Sequence, residues 1–325
     1  MPNGKKKLNF RIIAILELVL IMILLTGYVF LLAFGQKEAP VQTVPTNADF
    51  KDPQIGGEER VRPIIEKEEI YYSLDGKKIL LSDPTFGQIY IPVYENVPAC
   101  SYDLSAMVHR NGYSFYTDNG SVVSKFGIDI SAHQNTIDWK KVADAGVEFA
   151  IIRSAYRTYG GGELKADPKF KENIEGALAN GIEVGVYVYS QAISVQEAID
   201  EADFVLNQIK NYNITYPVVF DWEIVFDDAA RTDKVSVETL TDSSISFCER
   251  IKGAGYRPMI YQNKRTSLLK LDLPRLQDYD FWLAEWNDGP TYYYNYQMWQ
   301  YTEKGKIPGI EGNVDLNMCF ENVVQ

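Results

Sequence analysis

Residues 125–325 are predicted to form an α/β domain, an eight-stranded β/α barrel of the TIM-like kind with fewer than eight helices. Three observations predict it. From residue 126 onward, apolar strand-like runs alternate with amphipathic helical stretches, which is the pattern of a sheet covered by helices. Eight such runs occur before the chain ends. No glycine-rich phosphate turn follows the first run, as an open doubly wound sheet would require.

In chain order, residues 1–35 open with Lys5, Lys6, Lys7 and Arg11, followed by IIAILELVLIMILLTGYVFLLAF, whose only charge is Glu17. Residues 12–34 are long enough to span a bilayer. The basic flank is N-terminal, so the N-terminus is expected in the cytoplasm and everything after residue 35 outside the cell, as a single-pass membrane protein. The apolar stretch exceeds the core of a signal peptide, and no A-x-A-like cleavage site follows closely. Residues 36–67 are rich in Pro, Gly and charge, with little apolar periodicity, and are expected to be a flexible tether. Residues 68–124 carry short strand-like runs (EEIYYSL, KKILLS, GQIYIPVY, YSFYTD, SVVSKF) between DG, DP and DNG turn signals. They are expected to form a small β-rich region of hairpins, either a spacer or wall-binding module or an extension packed on the main domain.

The eight expected barrel strands are FGIDIS (126–131), VEFAIIRSAY (147–156), IEVGVYVYS (182–190), YPVVFDWE (216–223), RPMIYQN (257–263), YDFWLAEW (279–286), YQMWQYT (296–302) and one around GNVDLN (312–317). Helical stretches fit between the early strands: IDWKKVADAG, DPKFKENIEGALANG, SVQEAIDEADFVLNQIKNY and VSVETLTDSSISFCERIKGAGY. Two of them close on glycine-containing stops. Later links are too short for full helices.

Composition narrows the chemistry. A formal charge of −12 and no basic stripe beyond the first residues exclude nucleic acid as a partner. Three scattered cysteines, two histidines and no CxxC exclude a disulfide framework and a Cys/His zinc site; they leave carboxylate-only Ca²⁺ or Mg²⁺ binding, for which no DxDxDG loop occurs. His133 and His109 are the only imidazole bases, and neither lies in a nucleophile motif.

Carboxylates stand out instead. In YPVVFDWE, Asp221 and Glu223 are two positions apart on a strand, about 6.6 Å, so they share a face while Trp222 points the other way. Two such groups repel and lose hydration, which raises the pKa of one of them. The carboxyl ends of barrel strands carry the active site. Asp129 in FGIDIS ends a strand as well, and Asp315 in GNVDLN joins the group if the last strand ends near it. Four acids at one mouth point to glycoside hydrolysis, in which one acid protonates the leaving oxygen and another group stabilises the oxocarbenium-like centre.

The segments GIDISAHQNTIDW (127–139), ADPKFKENIEGALANGIEVGVYVYSQA (166–192), YPVVFDWE, FWLAEW (281–286) and MWQYTEKGKIPGIEGNVDLNMCF (298–320) resemble the family 25 glycoside hydrolases, the β/α-barrel muramidases. The resemblance covers about residues 126–320. It implies cleavage of the β-1,4 bond between N-acetylmuramic acid and N-acetylglucosamine in peptidoglycan glycan strands, with no cofactor. Position by position, it implies Glu223 as general acid and Asp221 as stabiliser of the positive centre or guide of the N-acetyl group. Asp129 and Asp315 would line the same mouth, and Tyr156, Tyr187, Tyr189 and Trp286 would hold sugar rings. Asn135 and Thr136 stand where a glycine often precedes IDW. The expected protein is a muramidase anchored in the membrane; the alternative from another class is a non-catalytic wall-binding scaffold.

Overall fold

The computed structural model describes residues 76–225 and 230–320, together with the strand placement of residues 59–60 and 70–73. The tail and anchor expected over residues 1–35, and the tether apart from residues 59–60, lie outside the described residues. Among the described residues no helix is long and apolar enough to cross a membrane.

The N-terminal β region contains β1 (Glu59–Arg60), β2 (Ile70–Ser73), β3 (Gly76–Asp83), β4 (Gly87–Pro92), β5 (Met107–Arg110), β6 (Tyr113–Asp118) and β7 (Ser121–Val122). They make two sheets, a β2-β3-β4 meander and a β1-β5-β6-β7 sheet. Asn111–Gly112 turns β5 into β6, and Asn119–Gly120 turns β6 into β7, with all four residues at positive φ. Two-residue hairpin turns whose twist matches the strands require that conformation, and Asn and Gly reach it most cheaply. β1 falls inside the segment read as a tether and pairs with β5, Glu59 opposite His109.

The N-terminal β region packs on the barrel. The Tyr102 ring stacks on Phe320 with centroids 4.3 Å apart, and its hydroxyl donates to the Tyr296 carbonyl at 2.9 Å. Tyr113 and Phe115 pack on Phe126, and Arg265 pairs with Asp83. Burying aromatic groups of this size contributes about 1.5–3 kcal/mol each, which a free module would forgo.

The barrel strands are β8 (Lys125–Ile130), β9 (Phe149–Arg157), β11 (Glu183–Ser190), β12 (Val218–Trp222), β13 (Pro258–Asn263), β14 (Asp280–Ala284), β15 (Met298–Gly305) and β16 (Val314–Cys319), while β10 (Leu164–Ala166) is an antiparallel arm on β9. Closure comes from pairing of β8 with both β9 and β16. Neighbours are parallel from β8 round to β15, but β16 runs antiparallel to both β15 and β8. β16 thus departs from the all-parallel ring of a TIM barrel. A parallel crossover takes about a dozen residues or more. The 306–313 link is shorter and bends at Gly309 and Gly312, both at positive φ, so the strand returns the other way.

Helices α1 (Trp139–Asp144), α2 (Phe170–Ala179), α3 (Val195–Ile209) and α4 (Val237–Gly253) lie where amphipathic stretches predicted them. Asp138, Ser194 and Ser236 cap the starts of α1, α3 and α4 by accepting from backbone N–H groups. On α3, Ala198, Ala202, Val205 and Ile209 recur every three or four residues and are buried against the barrel. A short α5 (Lys264–Lys270) fills a link that the sequence had left without a full helix.

Candidate active site

Strand alternation decides which side chains reach the barrel interior. On β12, Val218, Phe220 and Trp222 face outward into the helix-covered core, while Val219 and Asp221 face inward. β16 sends Leu316 and Met318 outward, and Asp315, Asn317 and Cys319 inward. An apolar floor forms from Phe149, Ile151, Val219, Met259 and Met298. Above it the same inward rows end in polar groups, and a cleft of about 220 Å³ opens.

Asp129, Asp221, Glu223 and Asp315 all line that cleft, with Tyr187 and Tyr189. Asp129 is at the carboxyl end of β8 and Asp221 at that of β12. Asp315 arrives by the opposite route: because β16 is antiparallel, its beginning lies at this mouth, with Asp315 paired in register with Asp129. Trp286, 52% exposed, forms the rim. Tyr156 stands beside Tyr189 in register, with its ring 5.3 Å from the Arg153 guanidinium. His133 is exposed in the loop after β8, its backbone N–H donating to Ser131. The preceding-glycine departure also resolves, since Asn135 takes a φ of 55°, in the positive range that glycine favours.

The acids fall into two pairs. Asp129 accepts from the Gln300 amide at 2.9 Å and the Asn317 amide at 2.8 Å. Both amides are oriented by aromatic donors: Tyr261 and Trp286 donate to the Gln300 oxygen, and Trp282 donates to the Asn317 oxygen. With their oxygens occupied, the amides must present N–H to Asp129, which favours its ionised form. Burial nonetheless pushes Asp129 up to about 6, and burial with the neighbouring Asp129 charge pushes Asp315 up to about 8. Asp315 therefore donates to Asp129 near neutral pH.

Asp221 and Glu223 are hydrogen-bonding neighbours, and burial raises both. Glu223 and Asp129 add their repulsion to hold Asp221 well above the usual carboxylate range. A bond between two carboxyls needs a proton, so this pair keeps one at neutral pH. The backbone that carries them is fixed from both sides: Gln191 donates to the Glu223 carbonyl at 2.8 Å and Gln262 to the Trp222 carbonyl at 3.2 Å. The site thus offers a stored proton, a carboxylate held by amides, and aromatic walls. Gln300, Asn317, Tyr261, Trp282 and Glu303 were not singled out from sequence. For Asn317 the signal was present, two positions beyond Asp315 on the same strand face.

The family model for the glycosyl hydrolases of family 25 matches residues 128–310, more than half of the chain. The chain belongs to glycosyl hydrolase family 25. As a family 25 member it is a glycoside hydrolase, and Asp129, Asp221 and Glu223 lie inside the matched range while Asp315 lies just past it. The YegX protein of Escherichia coli K12 is 28% identical over 214 residues, covering 61% of this chain and 70% of that one. The autolytic lysozyme of Clostridium acetobutylicum is 24% identical over 200 residues, covering 61% and 56%. The modular autolysin LytC of Streptococcus pneumoniae superposes with a TM-score of 0.54 at 25% identity, over 77% of this chain and 57% of LytC. LytC in complex with a synthetic peptidoglycan ligand gives a TM-score of 0.53.

Proposed function

We propose that this family 25 enzyme is an N-acetylmuramidase, hydrolysing the β-1,4 bond between N-acetylmuramic acid and N-acetylglucosamine in peptidoglycan. The observation that carries the reading is the convergence of four carboxyls at one cleft, two of them holding a proton that burial and repulsion keep bound. The lysozyme among the relatives and the peptidoglycan-bound LytC structure point to the same substrate. Glu223, half-buried at the cleft, is the general acid: it protonates the leaving glycosidic oxygen, and its hydrogen bond to Asp221 supplies the proton reservoir. Asp221, deeper and buried, then stabilises the developing positive centre or guides the substrate N-acetyl group. Asp129 and Asp315, sharing one proton, line the mouth, and Tyr187, Tyr189 and Trp286 hold sugar rings.

The same proposal places the enzyme in the cell membrane. Residues 12–34 are the bilayer anchor, the N-terminus is cytoplasmic, and the barrel works on the wall outside. The test is digestion of purified peptidoglycan by the full-length chain in detergent, followed by borohydride reduction and mass spectrometry. New reduced N-acetylmuramic acid ends, absent with Glu223→Gln, are the expected result. Reduced N-acetylglucosamine ends would assign a different bond, and no cleavage by folded protein would favour a wall-binding scaffold.

A further inference from the structure

A second cavity adjoins the acid cleft, and the residues matched by the family model do not suffice to build it. It measures about 490 Å³, within the roughly 300–1,000 Å³ of small-ligand sites. One wall is the β5–β6 hairpin, with His109 and Ser114; the other is the loop after β14 and the end of β15, with Asn287, Asp288 and Thr302. The hairpin precedes residue 128, where the family match begins. Trp286 and Glu303 line both cavities, so the two form one continuous groove with an exposed indole between them.

We propose that this cavity is a distal subsite that holds a further sugar of the glycan strand whose scissile bond lies over Glu223, a proposal that rests on the muramidase reading. Its lining suits a sugar rather than an anion. The two lysines at its edge are occupied, Lys304 paired with Glu303 at 3.4 Å and Lys306 donating to the Gly312 carbonyl at 2.8 Å. What remains are neutral or mixed hydrogen-bonding groups beside an aromatic face, which match hydroxyl and acetamido groups around a pyranose ring. The hairpin wall is also preformed. Its tip is the Asn111–Gly112 turn, His109 Nδ1 and Ser114 Oγ lie 3.2 Å apart, and the Tyr113 hydroxyl donates to the Lys306 carbonyl at 2.9 Å. A wall that is already ordered costs little entropy when a ligand binds. The N-terminal β region is thereby part of the substrate groove.

The test assays the full-length chain in detergent on peptide-free oligomers of alternating N-acetylglucosamine and N-acetylmuramic acid, a tetrasaccharide against an octasaccharide. The parent is expected to show a higher kcat/KM on the octasaccharide. His109→Ala and Asn287→Ala, on opposite walls, are each expected to lower the octasaccharide-to-tetrasaccharide ratio about fivefold through KM, the scale of a lost hydrogen bond. A general loss of structure would depress both substrates and leave the ratio in place, and Asn287 is in an exposed loop whose truncation does not threaten folding. An unchanged ratio in both variants, or a parent indifferent to length, overturns the subsite while leaving the muramidase reading intact. Failure of the parent on both oligomers overturns that reading and the subsite with it. If the ratio moves only on strands that retain their stem peptides, the cavity holds peptide and the sugar assignment falls.

Discussion

At the mouth of the barrel, Asp129, Asp221, Glu223 and Asp315 face one another, whereas on α3 Glu197 and Glu201 face arginines. Arg231 grips Glu197 through two bonds of 2.8 and 2.7 Å, and Arg157 meets the wholly buried Glu201 at 2.6 Å. Burial would raise Glu197, but the Arg231 bonds outweigh it and hold the carboxyl below its usual range. Burial prevails at Glu201, pushing it up to about 7 even beside Arg157. No lysine or arginine among the described residues forms an ion pair with the four mouth acids. The same fold therefore neutralises buried acids in one place and leaves them to share protons in another. An arrangement that costs stability and persists at a cleft is the mark of a functional site.

The comparison breaks most sharply at Glu223. Glu223→Gln keeps the shape and removes the transferable proton, so kcat is expected to fall about 10²–10⁴-fold while the melting temperature holds or rises. Near-normal turnover on peptidoglycan would remove Glu223 from the acid role.

Arg157→Met should show the opposite profile. It strands Glu201 without its cation and is expected to cost about 3–5 kcal/mol in urea unfolding, with KM for glycan unchanged below the transition. A loss under about 1 kcal/mol would mean that Glu201 is already neutral and that the two clusters differ less than their partners suggest.

Asp221→Asn tests whether the mouth carries a stability cost. One of its carboxylate oxygens is buried without a hydrogen-bond partner, and its charge opposes Glu223 and Asp129. Activity is expected to fall about a hundredfold, and thermal stability to rise, because the amide ends the repulsion. If the rate were unchanged, Asp221 would be structural.

Much of this was legible in the sequence, because strand alternation and helix periodicity are local. Eight apolar runs located the eight strands, and the two-residue spacing of Asp221 and Glu223 placed both on one face. What escaped depends on contacts between distant segments. The direction of β16 is set by the length of its link, so Asp315 reaches the mouth from the start of a strand rather than its end. Gln300 and Asn317 acquire their role only when β15, β16 and β8 stand side by side. The bulge on β9 between Arg153 and Ala155, opposite Tyr187 and Val188, also escaped: it brings Tyr156 into register with Tyr189, whereas simple alternation from Arg153 would turn it to the other face.

The smallest effect reads both clusters at once, through the pH dependence of stability. Asp315 rises from its ordinary value of 3.8 to about 8 in the folded chain. Between those values the folded state keeps a proton that the unfolded state has released, so stability falls as pH rises. Asp129, raised to about 6, adds a slope of the same sign over the lower part of the range. Glu197 acts in reverse: its lowered carboxyl stabilises the fold above its ordinary value of 4.5, and that contribution disappears as pH falls below it. Melting temperature is therefore expected to drop from pH 6 to 8 in the parent and to drop less in Asp315→Asn, which has no proton to lose. An equal slope in both proteins would mean that Asp315 is ionised throughout, and that the mouth compensates its charges by a route other than shared protons.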